Sequence, residues 1–173
     1  MAKILADNKI NGWFQNRSEF GPRALGSRSI LMNPTPAKNK DTINKRIKHR
    51  EEWRPIAGIM LEEYQEDYFM ETYPNEYMLY SLMVRSHQRR KLGAITHKDF
   101  SCRIQTVNKD LHPEVTTLLQ KYNKITDTPV LLNTSFNDNG QPIIETPKDA
   151  VETFNKIDLD YLVLNNFLIS KKK

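Results

Sequence analysis

The sequence predicts an α/β (α+β) fold: one domain around a mixed sheet. Three observations predict it. Short apolar runs of strand length alternate along the chain with segments of helical periodicity. The 173 residues suffice for one ordinary domain with a real core, assigned to 1–173 with its recognisable part at about 10–168. No repeat, low-complexity linker or break in composition divides them.

Taken in order, Ile10–Gln15 and Arg28–Met32 read as strands. Thr35-Pro36 reads as a helix start, with a capping hydroxyl and proline at the first helical position. That helix is expected to run to about Lys48, with Ile43 and Ile47 facing the core and Lys45 and Lys48 sharing one polar stripe. Pro55–Leu61 reads as a strand and Glu62–Phe69 as a helical turn over it. Tyr77–Val84, Ala94–His97 and Arg103–Val107 are strand-like. Pro113–Tyr122 carries Val115, Leu118, Leu119 and Tyr122 on one helical face. Pro129–Leu132 has the continuous apolar character of a fully buried strand. Thr146-Pro147-Lys148-Asp149 opens another helix, anchored by Phe154 and Ile157, with Thr146 and Asp149 placed as a capping box. Tyr161–Leu164 is expected to be the last strand.

Composition removes whole classes of function. No apolar run approaches the ~18 residues of a membrane helix, and the N-terminal Met1–Asp7 lacks the apolar stretch of a signal peptide. The single cysteine, Cys102, excludes an internal disulfide framework and reads as buried and inert, although Arg103 adjoins it. A cytoplasmic location is expected. The four histidines show no metal-ligand spacing, and neither a P-loop nor a G-x-G-x-x-G fingerprint occurs.

The net charge of +5 includes Lys171–Lys173, leaving +2 for the other 170 residues (5 − 3 = 2). Its distribution is informative: residues 38–54 hold seven Lys/Arg and three acids, residues 85–91 four bases and no acid, and residues 62–76 six acids and no base. A local positive field of this kind is suited to an anion; the alternative for any one cluster is a solvated face.

Two segments are built for oxyanions. In Glu19–Ser29, Gly21, Pro22 and Gly26 around Arg23 form a tight turn that lets backbone N–H groups and a forked guanidinium approach one ligand. The competing reading is a plain turn with Arg23 paired to Glu19. In Leu131–Asn137 a buried strand runs into small hydrogen-bonding side chains, which reads as the edge of a site at a strand's carboxyl end, or as an Asx/Ser turn.

At these residues the chain resembles a known family. Glu-Phe-Gly-Pro-Arg-Ala-Leu-Gly (19–26) with Ser-Arg-Ser-Ile-Leu (27–31), Ile-Lys-His-Arg-Glu-x-Trp-Arg-Pro (47–55) and Leu-Leu-Asn-Thr-Ser-Phe-Asn (131–137) are similar to the C-terminal, YrdC-like domain of O-carbamoyltransferases. These are the nodulation protein U type and the enzymes that carbamoylate cephamycin and tobramycin. Arg103–Val107 and Pro142–Asp149 match the same pattern. One departure is Asn16-Arg17-Ser18-Glu19, where relatives often carry Gly-Arg-Met-Glu.

The resemblance implies a YrdC-like twisted open sheet flanked by helices, in a domain that binds ATP and carbamoyl phosphate and forms carbamoyl adenylate, releasing pyrophosphate. A separate N-terminal actin/sugar-kinase-like domain would pass the carbamoyl group to a hydroxyl. It places phosphate and carbamoyl ligands on Arg23, Lys48, Arg54, Arg103 and Ser135. Lys48, Arg54 and Arg103 are the expected catalytic residues, Asn133 an orienting hydrogen-bond partner, and His49 and Arg50 flank the nucleotide. Mg²⁺ is expected with ATP, with no protein ligands assigned to it. The alternatives are an RNA- or nucleotide-binding YrdC-like module without carbamoyl chemistry, and a structural or regulatory interaction domain. Nucleic acid and membrane are not expected partners.

Overall fold

The computed structural model describes residues 1–171. Its centre is an eight-stranded sheet of β1 (Asn11–Phe14), β2 (Arg28–Met32), β3 (Ala57–Leu61), β4 (Ser81–Met83), β5 (Ser101–Val107), β6 (Val130–Ser135), β7 (Tyr161–Leu164) and β8 (Phe167–Ser170), in the order β4-β5-β3-β6-β2-β1-β7-β8. Two pairs, β1/β7 and β3/β5, are parallel and the rest antiparallel, so the sheet is mixed as the sequence predicts.

The period-2 pattern sorts the core. Ile30, Met32, Met60, Val130 and Leu132 face one side, against Ile43 and Ile47 and against Ala150 and Phe154 of α5 (Pro147–Lys156). Leu31, Ile59, Leu61 and Leu131 face the other, against α1 (Ala2–Ala6) and α4 (Pro113–Thr126), whose Val115, Leu118, Leu119 and Tyr122 form the stripe read from the sequence. The Thr146/Asp149 capping box forms as predicted.

Four expectations are corrected. Thr35 and Pro36 do not open the second helix. The Asn33 side chain accepts the Thr35 N–H at 2.9 Å and the Pro34 carbonyl accepts Ala94 N–H at 2.8 Å, which holds 33–36 in an irregular turn. The helix α2 begins at Lys38, runs to Thr42, and continues as a π turn over Ile43–Ile47. Ala94–His97 is not a strand. Ile95 and Thr96 both donate to the Leu92 carbonyl, making a buried turn, and a short apolar run cannot tell a buried turn from a strand.

Of Tyr77–Val84, only Ser81–Met83 pairs as a strand, with Val84 making a single bridge to Phe69. The Asn75 side chain accepts the N–H groups of Leu79 and Tyr80 and folds the preceding residues into a loop. Nor is Tyr161–Leu164 the last strand: Asn165, at φ 50°, turns the chain into β8, which pairs antiparallel with β7. The 62–69 stretch is a 3-10 turn (Glu62–Tyr64) followed by α3 (Gln65–Tyr68).

Asn16 occupies φ 46°, a left-handed conformation that glycine adopts freely and asparagine tolerates.

Candidate functional site

The site lies where the carboxyl end of β6 meets the amino ends of β2, β3 and β5, since β6 runs antiparallel to β2 and β3. Asn133 pairs with Ala57, and Gly58 with Ile104 beside Arg103.

The first wall is the turn 19–28. Glu19 Oε1 accepts the N–H groups of Leu25 (2.6 Å), Ser27 (2.8 Å) and Arg28 (3.1 Å). Glu19 is thus the internal anchor of the turn and not the ion-pair partner of Arg23. Three side chains from the sheet then hold three successive carbonyls: Asn133 donates to Ala24 (3.0 Å), Gln105 to Leu25 (2.8 Å) and Trp13 Nε1 to Gly26 (2.9 Å). Gly26 adopts φ 99° and lies so close to α4 that a Cβ would sit 3.2 Å from Val115 Cγ1. Arg28 is buried, stacks 3.5 Å over the Phe14 ring and donates to the carbonyls of Gln15, Asn16, Ser27 and Glu145. It pins three chain segments together and is not free for a ligand.

The second wall is the loop after the π turn. Lys48, 5% exposed, donates its N–H to the Ile43 carbonyl at 2.9 Å, which closes the π turn. Its ammonium lies 2.6 Å from the Ser135 carbonyl, 3.2 Å from Ser135 Oγ, 3.1 Å from the Asn137 carbonyl and 2.6 Å from Asn137 Oδ1. Burial, with the Arg50 charge adding to it, pushes the Lys48 ammonium down to about 7, while Asp138 opposes the shift. Asn44, buried within the π turn, organises residues 50–54. Its Oδ1 accepts Arg50 Nε at 2.8 Å, and its Nδ2 donates to the carbonyls of Glu52 (3.2 Å) and Arg54 (2.8 Å). π turns are frequent at functional positions, and the extra residue in the turn redirects the side chains after it. His49, at φ 44°, is exposed on this wall.

Two adjoining hollows result. A 660 Å³ cleft is lined by Lys48, His49, Arg50, Arg54 and Ser135, with Glu51 and Asp138 among its other walls. A 120 Å³ cavity beside it is lined by Arg23, Arg50, Arg103, Asn133 and Ser135. Arg50 and Ser135 line both. All eight residues singled out from the sequence therefore meet on two connected surfaces.

They are not equally free. Among the described residues, Arg23, Lys48, Arg50 and Arg103 have no carboxylate within 4.0 Å. Arg54 pairs with Glu51 at 2.7 Å, both half-exposed. Asn133 uses its NH₂ group on Ala24 while its Oδ1 is buried without a partner, and the Ser135 hydroxyl donates to Asn137 Oδ1 at 2.7 Å. Burial lowers Arg50, and Arg54 and Arg103 lower it further; burial also lowers Arg103, with Arg23 adding to it. These cations push on one another, with Glu51 opposing the effect only in part at Arg50, an arrangement that an anion relieves.

Glu19, Asn44, Gln105 and Asn137 were not singled out as site residues from the sequence. Three of them lie in motif segments, Glu19 at the head of 19–26, Gln105 within 103–107 and Asn137 at the end of 131–137; Asn44 carries no such signal. The other basic run is used locally. Arg85 Nε donates to the Glu66 carbonyl, Arg89 stacks 3.7 Å from the Phe100 ring centre, and Lys91 pairs with Asp127 at 2.8 Å. Cys102 is buried, and burial drives its thiol far above the usual range. Among the described residues no three His, Cys, Asp or Glu side chains come together as metal ligands. No helix among them is long and apolar enough to cross a membrane.

A mixed α/β domain with a cleft rich in cations at one end of its sheet is the class that fold and site define. The sequence matches the Carbamoyltransferase C-terminus family over residues 2–171, and the chain belongs to that family. It is 45% identical to nodulation protein NolNO of Sinorhizobium fredii and 45% identical to nodulation protein NolO of Bradyrhizobium diazoefficiens. Each match covers 99% of this chain, but 26% and 32% of those proteins. Nodulation protein U of Rhizobium tropici is 38% identical over the whole chain and 29% of its own length. The chain thus spans about a quarter to a third of these relatives. Its fold resembles part of full-length HypF, solved in a phosphate- and nucleotide-bound form, with a TM-score of 0.68 at 19% identity, covering 95% of this chain and 24% of that one. The twisted, helix-flanked mixed sheet implied by the family resemblance is the fold observed.

Proposed function

We propose that this domain binds ATP and carbamoyl phosphate and forms carbamoyl adenylate, which a separate transfer domain uses to carbamoylate a hydroxyl. The observation that carries the reading is the convergence of Arg23, Lys48, Arg50 and Arg103 on connected hollows without an acidic partner among the described residues. Family membership, and relatives three to four times longer, support the division of labour between two domains.

In this reading Arg23, Arg50 and Arg103 clamp phosphate oxygens through forked donors. Water releases phosphate from carbamoyl phosphate, and a carbamate oxygen attacks the α-phosphorus of ATP as pyrophosphate leaves in line. Such transfers need positioning and charge neutralisation more than covalent help. Lys48, anchored at the carboxyl end of β6, places a compact positive charge where charge develops. Arg54 joins the clamp by exchanging Glu51 for a phosphate. Asn133 Oδ1 is an acceptor suited to the carbamoyl NH₂, and Ser135 orients the same group. Mg²⁺, if it accompanies the nucleotide, would supply further neutralisation of phosphate charge.

Calorimetric titration of the domain with ATP and with carbamoyl phosphate tests the reading. Binding of both, with a melting temperature that climbs with ligand concentration, is expected. A folded protein that binds neither at millimolar concentration overturns it.

A further inference from the structure

We propose that an apolar slot beside Trp53 holds the adenine ring of ATP, an inference that rests on the ATP reading above and assigns the base a place of its own. The slot has a volume of 440 Å³ and is walled by Trp53, Pro55, Ile56, Ala94, Ile95 and His97. That is the size and character of a small-molecule site, mostly apolar with a few polar groups at its edge.

The slot adjoins the cationic site. Pro55 and Ile56 also wall the cavity of Arg23 and Arg103, and Arg54, the residue after Trp53, lines the Lys48 cleft. A ligand with its phosphates among the arginines would place its far end here if it passes Pro55 and Ile56, the two residues common to both linings.

Trp53 is displayed rather than left over. It is 68% exposed, yet its backbone is fixed on both sides: Asn44 Nδ2 donates to the carbonyl before it, Glu52, and to the carbonyl after it, Arg54. The indole makes no hydrogen bond with any described residue, and the nearest cation, the Arg54 guanidinium, is 5.9 Å from the ring centre. A large aromatic face held rigidly in water is a stacking platform, and every nucleobase has a complementary face.

The rim of the slot carries Lys40, Lys98 and Asp99. Lys40 lies 3.6 Å from Asp41, and the Asp99 carboxylate accepts the Ser101 N–H (3.0 Å) and hydroxyl (2.7 Å). Ser101 gives its proton to Asp99, so its Oγ accepts from His97 Nδ1 at 3.1 Å. This fixes the neutral Nδ1–H tautomer, consistent with burial lowering the imidazole. An apolar slot with its charges at the rim suits a base.

The two tryptophans make the test direct, because Trp13 is 6% exposed and Trp53 is the accessible one. ATP and inorganic tripolyphosphate are titrated at fixed salt and Mg²⁺ into wild type, W53A and W53F, following emission and calorimetric affinity. ATP is expected to quench wild-type emission and leave W53F emission unchanged, while tripolyphosphate binds without quenching the wild type. W53A should weaken ATP roughly tenfold, within the range for loss of a base–aromatic stack, and leave tripolyphosphate affinity unchanged; W53F should restore most of the ATP affinity. Equal ATP affinity in wild type and W53A, with tripolyphosphate still bound, overturns the slot and leaves the anion site standing. Binding of neither ligand by folded wild type overturns the anion site itself.

Discussion

The ammonium of Lys48 lies 2.6 Å from the main-chain carbonyl of Ser135 and 3.2 Å from its hydroxyl, joining the residue that ends the π turn to the carboxyl end of β6. Two motifs 87 residues apart in sequence are thus held in contact by one cation. Lys48 is both a structural tie and a charge at the mouth of the cleft, and its two roles separate experimentally.

Lys48→Met keeps the buried stem and removes the head. Oxygens of Ser135 and Asn137 lose their donor, so both the fold and ligand binding should weaken. ATP and carbamoyl phosphate affinities are expected to fall by roughly 1.5–3 kcal/mol, the range for hydrogen bonds to a charged group. Calorimetry on protein shown folded by thermal denaturation measures it, and unchanged affinity rejects the role.

The depressed Lys48 pKa sets a pH window. Between about 7 in the folded protein and 10.5, its ordinary value, the unfolded chain holds a proton that the folded chain lacks. Stability of the free protein from this group should therefore rise with pH across that interval and be flat in it below about 7. Lys48→Met should abolish the slope. An anion favours the ammonium, so ATP binding near pH 8 should take up a proton, visible as binding enthalpies that depend on the buffer's ionisation enthalpy.

Arg23→Lys and Arg103→Lys keep the charge but lose the fork. Each is expected to weaken ligand binding by roughly 1.5–3 kcal/mol. Arg90→Lys is the control, since Arg90 is exposed in the other basic run; Arg89 is unsuitable because it stacks on Phe100 and donates to the Val84 carbonyl. Equal losses in all three variants, with affinity falling log-linearly in salt, would indicate a diffuse nucleic-acid surface instead.

Glu19→Ala removes the acceptor of three backbone N–H groups in the 19–28 turn. A loss of stability of roughly 1.5–3 kcal/mol is expected, since it breaks hydrogen bonds to a charged group. Denaturant unfolding reads it. Glu19→Gln should recover part of the loss, because its amide oxygen can still accept.

The sequence by itself determined the class of fold, most of the central strands and the identity of the charged residues that meet in the cleft. Those features are written in short-range patterns: alternation in Arg28–Met32, the apolar run leading into Asn133–Ser135, the Thr146 capping box, and the motifs around Arg23, Lys48 and Arg103. Only the tertiary structure decided which polar groups are free. Arg28 and Arg23 lie five residues apart in one motif, yet one is buried on Phe14 among carbonyls and the other has no internal partner, because only the first points into the sheet. The Ala94 N–H reaches the Pro34 carbonyl and so sets the 94–97 turn against residues 33–36, and Asn44 became the clamp on both sides of Trp53 through the π turn. Each of those outcomes depends on backbone groups brought together by folding, and hydrogen-bond partners distant along the chain leave no periodic trace in it.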